Sequence, residues 1–233
     1  MQTKRILAIA LSGALLTGIG LTGAQAADRY INVSATGSVK VTPDTVRINA
    51  SVSFVGTTSS VAQSTSAATA SAIRAALKSN GVDAQYIKSQ NLTIYPEYNY
   101  TTDKGSVLIG YRASQSFEII VRNAKNAGTV VDAIVAAGAD KLNLDGVTPY
   151  VFDNTTATNA ARTDAITRAK AKAAHYAKLL GVKLSSVTSL DETTSPSPYP
   201  IMMATAKMDS GATQIDLGQQ DVSVSVAVKW AIK

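Results

Sequence analysis

Residues 89–121, SQNLTIYPEYNYTTDKGSVLIGYRASQSFEIIV, constrain the fold more than any other stretch. They read as two long strands about a polar turn at 103–106. On the return strand Phe117, Ile119 and Val121 alternate with polar neighbours, the period-two signature of a half-buried strand. A two-stranded hairpin is marginal by itself, so the remaining chain has to supply strands beside it and helices against it. Tyr95, Tyr98 and Tyr100 crowd around Pro96 on the outgoing strand. Tyrosine combines a large contact area with a polar end, so these three either form an interface or cover one end of the core.

The flanking segments have the required character. Residues 30–36 alternate apolar and polar, Gly37-Ser38 punctuates them, and 39–41 lead to a turn at Pro43-Asp44. Residues 45–55 alternate again, with Val46, Ile48, Ala50, Val52 and Phe54 on one side, and the expectation is that these first two strands lie side by side. From 58 to 80 the apolar spacing becomes helical, with Ser/Thr N-caps and an Asn80-Gly81 stop. A second helix is expected over 124–137, then a strand at 142–152 interrupted by Gly146 and Pro149.

The longest helix is expected over 155–180, with alanine at 157, 161, 165, 169, 173 and 177. A four-residue step advances about 40° on an α-helix, so this stripe is expected to wind round the helix and to let a neighbouring backbone come close. The segment after this helix echoes the segment after the first one: Gly81-Val82 recurs as Gly181-Val182, Ile87 as Val187, Thr93 as Thr193 and Pro96 as Pro196. The last strand is expected at 222–232, after a Pro-, Ser-, Thr- and Met-rich loop around 193–213. Hairpin-joined strands outnumber βαβ units, which predicts an α+β fold with largely antiparallel sheets and two loosely repeated helix–strand–strand halves.

The chain opens with Lys4 and Arg5, an apolar run over 6–21 and an Ala24-Gln25-Ala26 cleavage pattern. These are the marks of a signal peptide covering 1–26. Of 233 residues, 207 would remain as a single domain, and loss of two basic residues and no acid would bring the formal charge from +6 to +4. Export, with periplasmic localisation, is therefore expected. There is no cysteine, so stability must come from packing.

The same composition excludes most chemistry. His175 is the only histidine and lies in mid-helix, where a surface or structural role is the simpler reading. A zinc site would need several carboxylates in place of cysteine. No Gly-x-Ser-x-Gly elbow, Ser-x-x-Lys pair or phosphate-binding glycine loop occurs, and Glu97, Glu118 and Glu192 fall where a glycosidase pair is not expected. No catalytic residue, cofactor or metal site is predicted, and export argues against nucleic acid. The helix over 162–183 carries Arg168 and Lys172 among other cations, which suit either a solvated face or an anionic lipid or envelope-protein partner. Met202, Met203 and Met208 could grip a partner or oxidise, or belong to an idle loop.

Taken together, the 30–37 strand followed by Pro43-Asp44, the Leu92-Thr93-Ile94-Tyr95-Pro96-Glu97-Tyr98 bend, Ile109-Gly110-Tyr111-Arg112-Ala113, the Ala-stepped helix ending Leu180-Gly181-Val182, and Leu217-Gly218 before VSVSVAV resemble the SIMPL-domain proteins. The resemblance spans nearly all of the chain after the leader. It implies an exported bacterial envelope protein of α+β fold without a recognised catalytic site, linked to oxidative-stress tolerance and to self-assembly into homo-oligomers. No functional residue is carried over from it.

Overall fold

The computed structural model describes residues 29–102, 105–195 and 213–233. Seven strands are found among these: β1 (Tyr30–Val41), β2 (Thr45–Gly56), β3 (Ile87–Thr101), β4 (Gly105–Val121), β5 (Leu142–Tyr150), β6 (Leu184–Ser195) and β7 (Gln220–Ile232). Three α-helices accompany them: α1 (Ser59–Ser79), α2 (Ala127–Gly138) and α3 (Thr155–Leu180). The strands form two antiparallel sheets, ordered β3-β4-β2-β5 and β1-β7-β6. This is the α+β class expected.

The two sheets repeat one plan. In the first, α1 leads into the β3–β4 hairpin and β2 lies on the far side of β4; in the second, α3 leads into the β6–β7 pair and β1 lies on the far side of β7. The first two strands are therefore not side by side. Tyr30 to Val41 pairs with Ala231 to Gln220, whereas Val46 to Gly56 pairs with Val121 to Tyr111. The N-terminal strand takes in the second unit the place that β2 takes in the first, and three residues of linker carry the chain between the sheets.

Both helices end in the same way. Val82 N donates to Leu77 O and Val182 N to Ala177 O, each at 3.0 Å, with Gly81 and Gly181 at φ 78° and 67°. Glycine accepts this left-handed geometry without the Cβ penalty, giving the six-to-one bond of a Schellman stop. The Gly-Val echo is thus a capping device used twice. At the other end of α1, Thr58 Oγ1 accepts from Val61 N at 3.2 Å, as an N-cap should.

Each unit has its own core. The first gathers Val46, Ile48 and Val52 of β2, Phe117, Ile119 and Val121 of β4, Ile73 and Leu77 of α1, and Val130, Val131 and Ile134 of α2. The second sets Ile31 and Val33 of β1 and Val224, Val226, Val228 and Trp230 of β7 against the alanines of α3. All six stripe alanines are buried. The stripe advances round α3, yet it keeps to the sheet along its whole length, because a row of i±4 side chains is inclined to the helix axis and a sheet is itself twisted.

Gly37 does not interrupt β1. A Cβ there would collide with Ala161 O and Ala165 N of α3, so the glycine is where strand and helix backbones touch. Gly56 holds the equivalent place against Ala62 of α1. Other segments differ from expectation in extent. β5 is continuous through Gly146 and Pro149, with a bulge opposite Asn49 and Ala50, and β6 runs on to Ser195 instead of yielding to a loop at 193. Between the units, Thr213 donates its backbone N–H and hydroxyl to Asp132 of α2, and Ile215 and Leu217 pack against the first core.

Candidate self-contact surface on the hairpin arm

The hairpin is less a spine than an arm. β4 is an inner strand, but β3 lies at an edge of the sheet, and β2 gives out at Gly56, opposite Tyr111. Beyond that rung β3 and β4 continue through Glu97↔Gly110 to Thr101↔Gly105. At about 3.4 Å per residue this ribbon reaches roughly 17 Å past the third strand. Pro96 is tolerated because an edge strand need not donate from every N–H.

The arm is apolar where it has least cover. Tyr98 is 44% exposed, Tyr100 78%, Leu108 47% and Ile109 55%, and Val107 is exposed beside them; Leu92, Ile94 and Tyr95 continue the exposed apolar surface down β3. Tyr95, Tyr98 and Tyr100 accordingly do not lie over the end of a core. Consecutive strand residues point to opposite faces, so the exposed apolar side chains are divided between the two faces of the ribbon, with Tyr98 and Leu108 opposite each other on one of them. Exposed apolar surface of this kind marks interaction sites, and β3 adds an edge with backbone groups free to pair among the described residues. Leu108 and Ile109 escaped sequence reasoning because Val107–Ile109 reads as ordinary strand. Their exposure follows only from where β2 stops.

The base of the arm is clasped. Arg112 donates from Nε and Nη2 to the two carboxylate oxygens of Glu97, at 2.8 and 2.9 Å, and from Nη1 to Ser53 Oγ at 3.0 Å. The fork joins β3, β4 and β2 beside the bulge at Glu97/Tyr98, fixing the direction in which the ribbon leaves the sheet. The guanidinium hydrogen bonds hold the Glu97 carboxyl below the usual glutamate range, against a smaller opposing effect of burial. Arg168 does the same for Asp164, and Arg162 for Glu192.

A carboxylate with a lowered folded pKa contributes stability that is present at neutral pH and lost as pH falls through the folded value. Thermal melts should therefore be flat from about pH 8 to 5 and decline below about pH 4, modestly because all three pairs face solvent. Replacing Arg112 by Gln should remove part of that decline.

The remaining predicted residues are placed elsewhere. Arg168 Nε is 2.8 Å from Asp164 one turn earlier on α3, and Lys172 Nζ donates to Ser34 O of β1 at 3.3 Å, so both are engaged within their own unit. His175 is exposed. Met202, Met203 and Met208 lie outside the described residues. Among the described residues no three His, Asp or Glu side chains come together as a metal site, and no helix is long and apolar enough to cross a membrane.

Known proteins resemble this sequence over most of its length. Residues 31–230 match the SIMPL family, described as "Protein of unknown function (DUF541)". The chain is 31% identical over 216 residues to the 26 kDa periplasmic immunogenic protein of Brucella melitensis, covering 87% of this chain and 84% of that one. It is 30% identical over 183 residues to the uncharacterized protein YggE of Edwardsiella ictaluri, covering 76% and 74%, and 28% identical over 197 residues to YggE of Escherichia coli K12, covering 82% and 79%. The match runs from the second residue of β1 to Trp230 of β7, taking in both repeated units, and the chain therefore belongs to the SIMPL family.

Proposed function

We propose that this chain is an exported, non-enzymatic periplasmic protein that self-associates through its hairpin arm and supports tolerance of envelope or oxidative stress. The observation that carries the reading is the exposed apolar ribbon beyond Gly56, clasped at its base by Arg112, Glu97 and Ser53. A protein that leaves such a ribbon in water needs a partner for it. A second copy presents the same surface, so the contact can be self-complementary or can propagate around a closed ring. The names of the Brucella relatives support the compartment.

Light scattering coupled to size exclusion, on the chain from Ala27 onward, is expected to find an assembly larger than one copy. A Tyr98→Ser, Leu108→Ser protein should run as a monomer with an unchanged melting temperature. A wild-type monomer at high concentration would remove the self-association claim. Loss of assembly and of folding together would return the arm to a structural role. A deletion strain challenged with peroxide and separately with detergent would distinguish the two forms of stress.

A further inference from the structure

One end of the α3 unit is built from four chain segments tied together by backbone hydrogen bonds. Lys183 and Lys233 exchange N–H···O bonds at 2.9 Å in both directions, Ile232 N donates to Arg29 O at 3.2 Å, and α3 arrives through the Gly181-Val182 stop. These contacts bring the last turn of α3, the start of β6, the end of β7 and the start of β1 to one place.

Two properties coincide there. Arg29, Lys178, Lys183 and Lys233 are all exposed, and the stretches that form this end, residues 29–43, 165–190 and 222–233, contain no Asp or Glu. Among the described residues this end carries no acidic side chain; the nearest acid along the chain on the β1 side is Asp28, which precedes Arg29. Of the acids on α3, β6 and β7, Asp164 and Glu192 are paired with arginines toward the other end of α3, Asp191 accepts from Ser189 Oγ, and Asp221 lies at the start of β7, the far end of that strand. Between Lys178 and Lys183 in the chain, Leu179 is 69% exposed and Leu180 66%, and Tyr176 and Tyr30 are half exposed. Consecutive leucines on the last turn of a helix have no anion to bind and no core to fill.

We infer that this end docks on an anionic phospholipid bilayer, Leu179 and Leu180 entering the headgroup boundary while Arg29, Lys178, Lys183 and Lys233 meet lipid phosphates. Exposed leucines framed by lysine, with tyrosine alongside, combine apolar burial and charge attraction as interfacial helices do. A symmetric contact between two copies would set like charges against each other. The arrangement differs from a basic α3 face, since Arg168 and Lys172 are occupied elsewhere. It is also independent of the hairpin arm, which belongs to the other sheet.

Sedimentation of the chain from Ala27 onward with phosphatidylcholine vesicles containing about one-third phosphatidylglycerol should show at least about tenfold tighter binding than with phosphatidylcholine alone. Salt at about 1 M, where screening acts within roughly 3 Å, should remove most of the difference. Leu179→Ser with Leu180→Ser, and separately Lys178→Glu with Lys183→Glu, should each weaken binding at least about tenfold without changing the melting temperature. If the double serine protein does not fold, Leu179→Ser alone serves. Equal binding to both vesicle types, no binding to either, or full binding by either folded variant overturns the proposal. So does loss of association between copies in these variants with vesicle binding intact, which would make this end a contact with the acidic surface of another copy.

Discussion

A Gly37→Val protein is expected to lose about 3 kcal/mol of stability, a fall of roughly 6 to 12 °C in Tm for a chain of this size. The added side chain would grow directly into Ala161 O and Ala165 N. No rotamer relieves a clash between a Cβ and a helix backbone, so α3 must lift from β1. Lifting it opens a gap along Ala161, Ala165, Ala169 and Ala173, whose short side chains cannot refill the space. Gly146 provides the contrast: a Cβ there meets nothing within 4 Å, and Gly146→Ala should shift stability by less than about 0.5 kcal/mol. A Gly37→Val protein that melts within a degree or two of wild type would show that α3 does not ride on the β1 backbone.

Phe117→Ala should cost about 3 to 5 kcal/mol, read from urea denaturation. Phe117 is the largest fully buried side chain among the described residues, set in β4 within the first core, and the Arg74 guanidinium lies 5.0 Å from its ring centroid. Truncation removes the ring's burial, leaves a cavity and takes away the surface on which Arg74 lies. The two cores share no buried residue. Gly37→Val and Phe117→Ala should therefore combine to within about 0.5 kcal/mol of their sum. A large coupling would mean that the link through Thr213, Ile215 and Leu217 binds the units into one cooperative block.

Local signals in the sequence carry the elements well. Period-two alternation marks β2 and β4, the Gly-Val stops mark the ends of α1 and α3, and the echo between halves corresponds to a real repetition of helix and antiparallel strand pair. Pairing between distant strands is another matter. Nothing within residues 30–41 says that their partner lies almost two hundred residues on, because alternation specifies a face and not a neighbour. Gly37 reads as punctuation for the same reason: its meaning resides in α3. The tyrosines of the bend are legible as candidates, whereas the arm depends on β2 stopping at Gly56, and the exposure of Leu108, Ile109, Leu179 and Leu180 depends on tertiary packing alone.

The absence of cysteine makes contact between arms directly measurable, since a single introduced thiol can form a disulfide only with another copy. Asn99 is exposed between Tyr98 and Tyr100 on the arm, and Gln63 is exposed on α1. Under mild oxidation at low micromolar concentration, the Asn99→Cys protein should convert rapidly to a disulfide-linked dimer while Gln63→Cys stays largely single-chain, as followed by mass spectrometry. Equal rates for the two, or an Asn99→Cys protein that remains unlinked, would contradict self-association through the hairpin arm.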